Sequence, residues 1–193
     1  PTDAARGYEH IVAQVRSVVE QLETASGLRR PNAIGIGTPG STQPNTGRLK
    51  NSNTTCLNGR PLGDDLSAAL KAEARLANDA NCFALAEATL GAARGRSVVF
   101  GVILGTGVGG GLIVRDRLVD GRHGIGGEWG HNPMRGENTP CYCGRTGCVE
   151  PVRSGPALER FYRESGGAAL RLPEIAQRAA AGETRAQATL ARL

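Results

Sequence analysis

The stretch "SVVFGVILGTGVGGGLIVRDRLV" (residues 97–119) decides between classes of α/β fold. Its centre, "LGTGVGGG" (104–111), could bring several backbone N–H groups against a phosphate. A dinucleotide-binding fold would follow such a turn with a helix. A Walker loop would end it in Gly-Lys-Ser/Thr. Neither is present, and residues 112–119 read as strand. The stretch is therefore two apolar strands joined by a glycine turn. Thr106, between Gly105 and Gly107, adds a hydroxyl able to meet a phosphate oxygen. Taken alone, the pattern equally suits a hairpin that holds no ligand.

Upstream, Ile11, Val12, Val15, Val18, Val19 and Leu22 recur at helical spacing over residues 7–25. "NAIGIG" (32–37) reads as a short buried strand running into a turn, and residues 41–61 as loop or short hairpin. Leu62, Leu66 and Leu70 mark a second helix with Asp64 and Asp65 in its first turn. "ARLAND" is a strand ending at Asn78-Asp79, and "ANCFALAEATLGAARG" a helix closed by glycine. Downstream, residues 154–165, 172–181 and 183–193 are helical in pattern. The order is mixed α and β, with a composition shift near Arg94–Ser97 that marks a candidate domain junction.

The 193 residues can hold one large domain or two small ones. Hydrophobic content of 39% and charged content of 21% are those of a globular protein. Aromatic residues make up only 4%, too few for the stacking platforms of a single-strand nucleic-acid binder. The net charge of +5 comes from scattered arginines rather than a basic tail, so no nucleic-acid partner is expected. No apolar run is long enough to span a membrane, and no secretory signal is visible. The chain opens on Pro1 and stops inside a helical pattern, so both ends read as cut.

A second stretch, "HNPMRGENTPCYCGRTGCVE" (131–150), carries His131, Cys141, Cys143 and Cys148. Thiolates and a neutral imidazole, four at a time, are the ligands zinc prefers. Disulfide pairing would strand one of the three cysteines, and adjacent Cys-x-Cys pairs are strained. The reading is a closed, structural zinc site. Cys56 and Cys82 read as reduced thiols, Cys82 as part of a helix core. The zinc loop would clamp "GGEWGH" before it to "CVE" after it, drawing Glu128 and Glu150 together. Two close carboxylates are natural acceptors for several sugar hydroxyls. Either one alone could be an ordinary surface carboxylate.

The glycine turn, "GEWGH" and "CYCGRTGCVE", taken together, resemble the repressor–ORF–kinase (ROK) family of sugar kinases. "GTPGSTQPNTGRLKNSNT", "LNGRPL" and "RLANDANCFALAEA" look most like its bacterial fructokinases of the manno(fructo)kinase type, in the family's order, over about residues 30–165. The resemblance implies an actin-like, two-lobed ATPase fold, with residues 1–95 in the N-terminal lobe and 96–193, including the zinc loop, in the C-terminal lobe. It implies ATP and Mg2+ as cofactors beside structural Zn2+, a cytoplasmic setting, and a homodimer when full length. Asp79 matches the family's catalytic base, although by itself it could be an acid complementing a helix dipole. Asn53, Asn78, Glu128, His131 and Glu150 match sugar-contacting positions. Gly105, Thr106, Gly107, Gly109, Gly110 and Gly111 match the loop that meets ATP phosphates.

The family's opening aspartate–glycine–glycine–threonine motif and its late glycine-rich segment are not found here, so the chain reads as the middle of a longer kinase. The expected reaction is transfer of the γ-phosphoryl group of ATP to a hexose, most simply fructose giving fructose 6-phosphate. The alternatives are N-acetylglucosamine, N-acetylmannosamine or glucose as acceptor, or a sugar-responsive repressor built on the same fold. Asp79 speaks for the kinase, because a sensor needs no base.

Overall fold

Helix α1 (Tyr8–Ser26) ends where Gly27 turns left-handed, φ 68°, and its N–H closes on the Glu23 carbonyl at 2.9 Å. The computed structural model describes residues 2–193 and places this helix beside α2 (Leu62–Leu70). Tyr8, Ile11, Leu62, Leu66 and Leu70 are buried between them, with Leu49 and Leu57. Ile34 and Ile36 of β1 (Ala33–Thr38) and Ala74 and Leu76 of β4 (Glu73–Asn78) pack against that cluster from below. The two strands pair in parallel, from Ala33 opposite Glu73 to Thr38 opposite Asn78. Their other face, with Gly35, Gly37, Arg75 and Ala77, is exposed, so β1 is half-covered rather than the fully buried strand its sequence suggests. Between them the chain makes a hairpin, β2 (Ser41–Thr42) against β3 (Leu49–Lys50), as its turn-rich composition suggests.

Strand β4 runs directly into α3 (Asp79–Thr89). Parallel strands present ligands at their carboxyl ends, and here those ends are Thr38 and Asn78. Helix α3 buries Ala80, Ala84 and Ala88 and stops at Leu90, short of the glycine at position 95. Cys82 falls off that face and is exposed, which corrects its reading as core. Ala84 and Ala88 pack with Val99 and Ile113 of an antiparallel sheet, β5 (Val98–Leu104) and β6 (Val108–Val114). The predicted pair of strands is thus present. A third strand, β7 (Arg117–Leu118), returns along β6 through Arg115 and Asp116, both left-handed at φ 49° and 62°.

Beyond the cysteine loop the chain is helical: α4 (Glu150–Arg153), α5 (Gly155–Glu164), α6 (Leu172–Ala180) and α7 (Thr184–Leu190). Tyr162, Ile175, Ala179 and Ala186 form their core. No helix among the described residues is long and apolar enough to cross a membrane.

Candidate active site

Asp79 is the first residue of α3, and its position is fixed from both sides. The Asn78 side chain caps the helix by accepting the Asn81 N–H at 3.1 Å and donates its amide to the Gly40 carbonyl at 2.9 Å. Gly40, at φ 82°, lies so close to Ser52 that a side chain there would strike the Ser52 backbone. The loop carrying Asn53 is therefore a neighbour of Asn78. That loop is braced by Asn58, which accepts the Ser52 N–H at 2.8 Å and donates to its carbonyl at 3.0 Å. Asn53 itself is exposed and makes no side-chain hydrogen bond among the described residues.

The two segments flanking the cysteines meet through backbone hydrogen bonds. The Glu150 N–H donates to the Gly130 carbonyl at 2.8 Å, and the Val149 N–H to the Asn132 carbonyl at 3.1 Å. Glu128 stays open to solvent on one side. Loss of hydration over the rest of it, and then the charges of Asp79 and Glu150, raise its carboxyl above the ordinary carboxylate range. Two carboxylates from two other segments thus act on Glu128. The Trp129 indole N–H donates to the Gly109 carbonyl at 2.8 Å and ties the Glu128 segment to β6. Sequence reasoning missed Trp129, whose one visible signal is that it is the chain's single tryptophan.

Glu150 also reaches the glycine turn. Its Oε2 accepts the Val108 N–H at 2.9 Å, and a Cβ on Gly107 would stand 2.7 Å from the same oxygen. From the other side the Gly155 N–H donates to the Gly105 carbonyl at 2.8 Å. Gly105, Thr106 and Gly107 form the tip of the hairpin. Gly109, Gly110 and Gly111 lie inside β6, opposite Ile103, Val102 and Gly101. The tip lies outside the ladder, with the Gly105 N–H on the Gly107 carbonyl at 2.9 Å, while the later glycines make room for α3 and for residue 127.

His131, Cys141, Cys143 and Cys148 come together with their ligand atoms all within 4.8 Å of one another. Tetrahedral zinc, with bonds of about 2.3 Å to sulfur and about 2.05 Å to nitrogen, sets neighbouring sulfurs about 3.75 Å apart and sulfur and nitrogen about 3.55 Å apart. Cys143 and Cys148 sulfurs lie 3.7 Å apart, and Cys141 Sγ lies 3.5 Å from His131 Nδ1. The Arg145 backbone, hydrogen-bonded to the Cys143 sulfur, draws its thiol below the usual value, toward the thiolate a metal takes. The residues fit a zinc ion.

The sequence profile described as the ROK family matches residues 1–193. Among curated proteins, the N-acetyl-D-glucosamine kinase of Pectobacterium atrosepticum is 37% identical over 189 residues, covering 93% of this chain and 62% of the relative. The chain thus spans somewhat under two thirds of that protein's length. Among solved structures, a ROK family glucokinase from Streptomyces griseus in complex with glucose and AMPPNP superposes with a TM-score of 0.81 at 27% identity, over 97% of this chain and 64% of the other. A ROK family transcriptional regulator, a homologue of the E. coli MLC protein, superposes with a TM-score of 0.80 at 26% identity, over 94% and 49%. The fold is the actin-like ATPase architecture that these proteins share.

Proposed function

This chain belongs to the ROK family, and on that premise we propose that it is the central part of an ATP-dependent sugar kinase whose acceptor is N-acetylglucosamine. The observation that carries the reading is the meeting of Asp79, Glu128 and Glu150 beside the glycine turn. The fructose expectation gives way to the alternative named with it, because the similar curated kinase acts on N-acetyl-D-glucosamine by name.

Asp79 is the general base. Its carboxylate takes the proton of the attacking sugar hydroxyl as that oxygen bonds to the γ-phosphorus and the bond to the ADP oxygen breaks. Asn53, Asn78, Glu128, His131 and Glu150 hold the sugar's other hydroxyls. The tip at Gly105, Thr106 and Gly107 faces the ATP phosphates, with Gly109, Gly110 and Gly111 shaping the strand behind it. Magnesium, when bound, neutralises charge on the β- and γ-phosphates. Zinc, held by His131, Cys141, Cys143 and Cys148, is structural, since four protein ligands leave no open position. The N-terminal lobe takes residues 1–95 and the C-terminal lobe residues 96–193, with a homodimer as the full-length assembly.

The likeness to a transcriptional regulator favours a second reading, a sugar-responsive repressor. Turnover separates the two. The full-length protein with ATP, Mg2+ and N-acetylglucosamine should release ADP and a sugar phosphate. Sugar binding without turnover would move the reading to the repressor.

A further inference from the structure

We propose that Tyr142 competes with the sugar for the sugar's own site, so that its phenol acts as an internal ligand setting the apparent sugar affinity. The proposal rests on the sugar-site reading above. Tyr142 stands between two of the clustered cysteines, Cys141 and Cys143, so the position of its backbone is fixed by that loop. The residue is 81% exposed, and no core packing holds the ring. The ring nevertheless stands edge-on to the His131 imidazole, centroids 5.2 Å apart at 85°. Its Oη lies 3.2 Å from His131 Nε2.

His131 is one of the groups assigned to sugar hydroxyls. A phenol carries one O–H donor and acceptor lone pairs, the same equipment as a sugar hydroxyl. His131 turns Nδ1 toward Cys141 Sγ, so a metal-bound ring keeps its proton on Nε2 and donates it outward. The phenol oxygen accepts there and keeps its own proton to donate. A sugar hydroxyl at that spot would accept and donate in the same way, and two oxygens cannot share it. The exposed ring can leave by rotating about its side-chain bonds without opening a core. Sugar binding therefore replaces one hydroxyl by another, and part of its favourable contact is spent on displacing the phenol.

The test uses the full-length protein with N-acetylglucosamine as the probe. Tyr142→Phe keeps the ring and removes the O–H. It should lower both KM and calorimetric Kd for the sugar by about two- to tenfold, the range one hydrogen bond commands, with KM for ATP unchanged. A sugar KM that stays the same or rises overturns the proposal, a rise meaning that the phenol holds the sugar rather than competing with it. As a second measurement, 3-fluorotyrosine labels every tyrosine, and the Tyr142 signal is the one missing from the Phe variant. Adding sugar should move that signal and leave those of Tyr8 and Tyr162 in place. A Tyr142 signal indifferent to saturating sugar overturns the displacement. Glu128→Gln, assayed alongside, separates the two levels of inference. If it weakens sugar binding while Tyr142→Phe changes nothing, the competition alone fails. If neither variant changes sugar binding, the sugar-site reading fails with it.

Discussion

Glu150 Oε2 accepts the Val108 N–H at 2.9 Å, so a side chain assigned to the sugar also holds the glycine turn assigned to the nucleotide. Charge and shape at Glu150 therefore do separate jobs. Glu150→Gln keeps an oxygen for Val108 but loses the charge that receives sugar hydroxyls. It should raise the sugar KM about ten- to a hundredfold, the equivalent of about 1.5–3 kcal/mol for a charged hydrogen bond, and leave the ATP KM within about twofold. Glu150→Ala frees the turn as well, and both KM values should rise. Steady-state kinetics of the two variants checks this. Equal ATP KM values in Gln and Ala variants would show that the turn does not need the carboxylate.

Glu128 predicts a pH dependence. Loss of hydration, then Asp79 and Glu150, raise its carboxyl above the usual range, and only the ionised form accepts from a sugar hydroxyl without donating. The sugar KM should therefore climb as pH falls through that raised value, beginning at higher pH than an ordinary glutamate, near ~4.3, would give. Glu128→Gln should leave a high and flat profile. Glu150→Gln removes one of the charges raising Glu128 and should move the climb to lower pH. For folding the sign is opposite: a raised carboxyl favours the protonated native state, so stability falls as pH rises through it. Glu128→Gln should then be at least as heat-stable as the wild type at pH 7, by calorimetry. A climb unmoved in both variants would assign the titration to another group.

The cysteine cluster predicts about one zinc per chain in freshly purified, reduced protein, by elemental analysis. One sulfur–sulfur and one sulfur–nitrogen separation, Cys143–Cys148 and Cys141–His131, already match tetrahedral zinc. Cys143→Ser should lower the zinc content and the melting temperature, by about 2–4 °C for each kcal/mol lost in a chain of this size. It should also raise the sugar KM, because the cysteine loop carries the backbone bonds that join Val149 and Glu150 to Asn132 and Gly130. A serine variant with full zinc content would remove Cys143 from the ligand set.

The sequence makes legible what local physics controls. Helical spacing locates α1 and α2, and the apolar runs on either side of "GTG" locate β5 and β6. Four ligand residues in one short stretch announce a metal loop before any fold is known. What stays hidden depends on neighbours distant in sequence. Strand β7 is masked because Arg115 and Asp116 make its turn left-handed without a glycine. Gly109, Gly110 and Gly111 look like loop residues until β5 pairs with them. Nothing near Glu150 in the chain points to Val108, and nothing near Asp79 points to Glu128. The family resemblance groups Asp79 with Glu128 at the sugar, and only tertiary packing brings Glu150 to Val108.

The last prediction concerns Asp79. The carboxylate is exposed at the first turn of α3, held there by the Asn78 cap and the Asn78–Gly40 bond, neither of which uses its charge. Asp79→Asn should therefore keep the helix start, the neighbouring loop and the cysteine cluster in place. The lost charge at a helix N-terminus costs about 0.3–1 kcal/mol, a shift of a few degrees in melting temperature. An amide cannot take the sugar's hydroxyl proton, so kcat in the full-length protein should fall about 10²- to 10⁴-fold. Sugar and ATP should bind within about tenfold of the wild type, because the groups that hold them are untouched. Removing this charge also relieves Glu128, so the acid climb in sugar Kd should move to lower pH in the Asn variant. That shift separates a carboxylate beside Glu128 from one that only complements its helix. Single-turnover phosphorylation and calorimetry on one preparation measure all three effects. Near-normal turnover with the shifted climb would keep Asp79 in the cluster and remove it from the proton transfer.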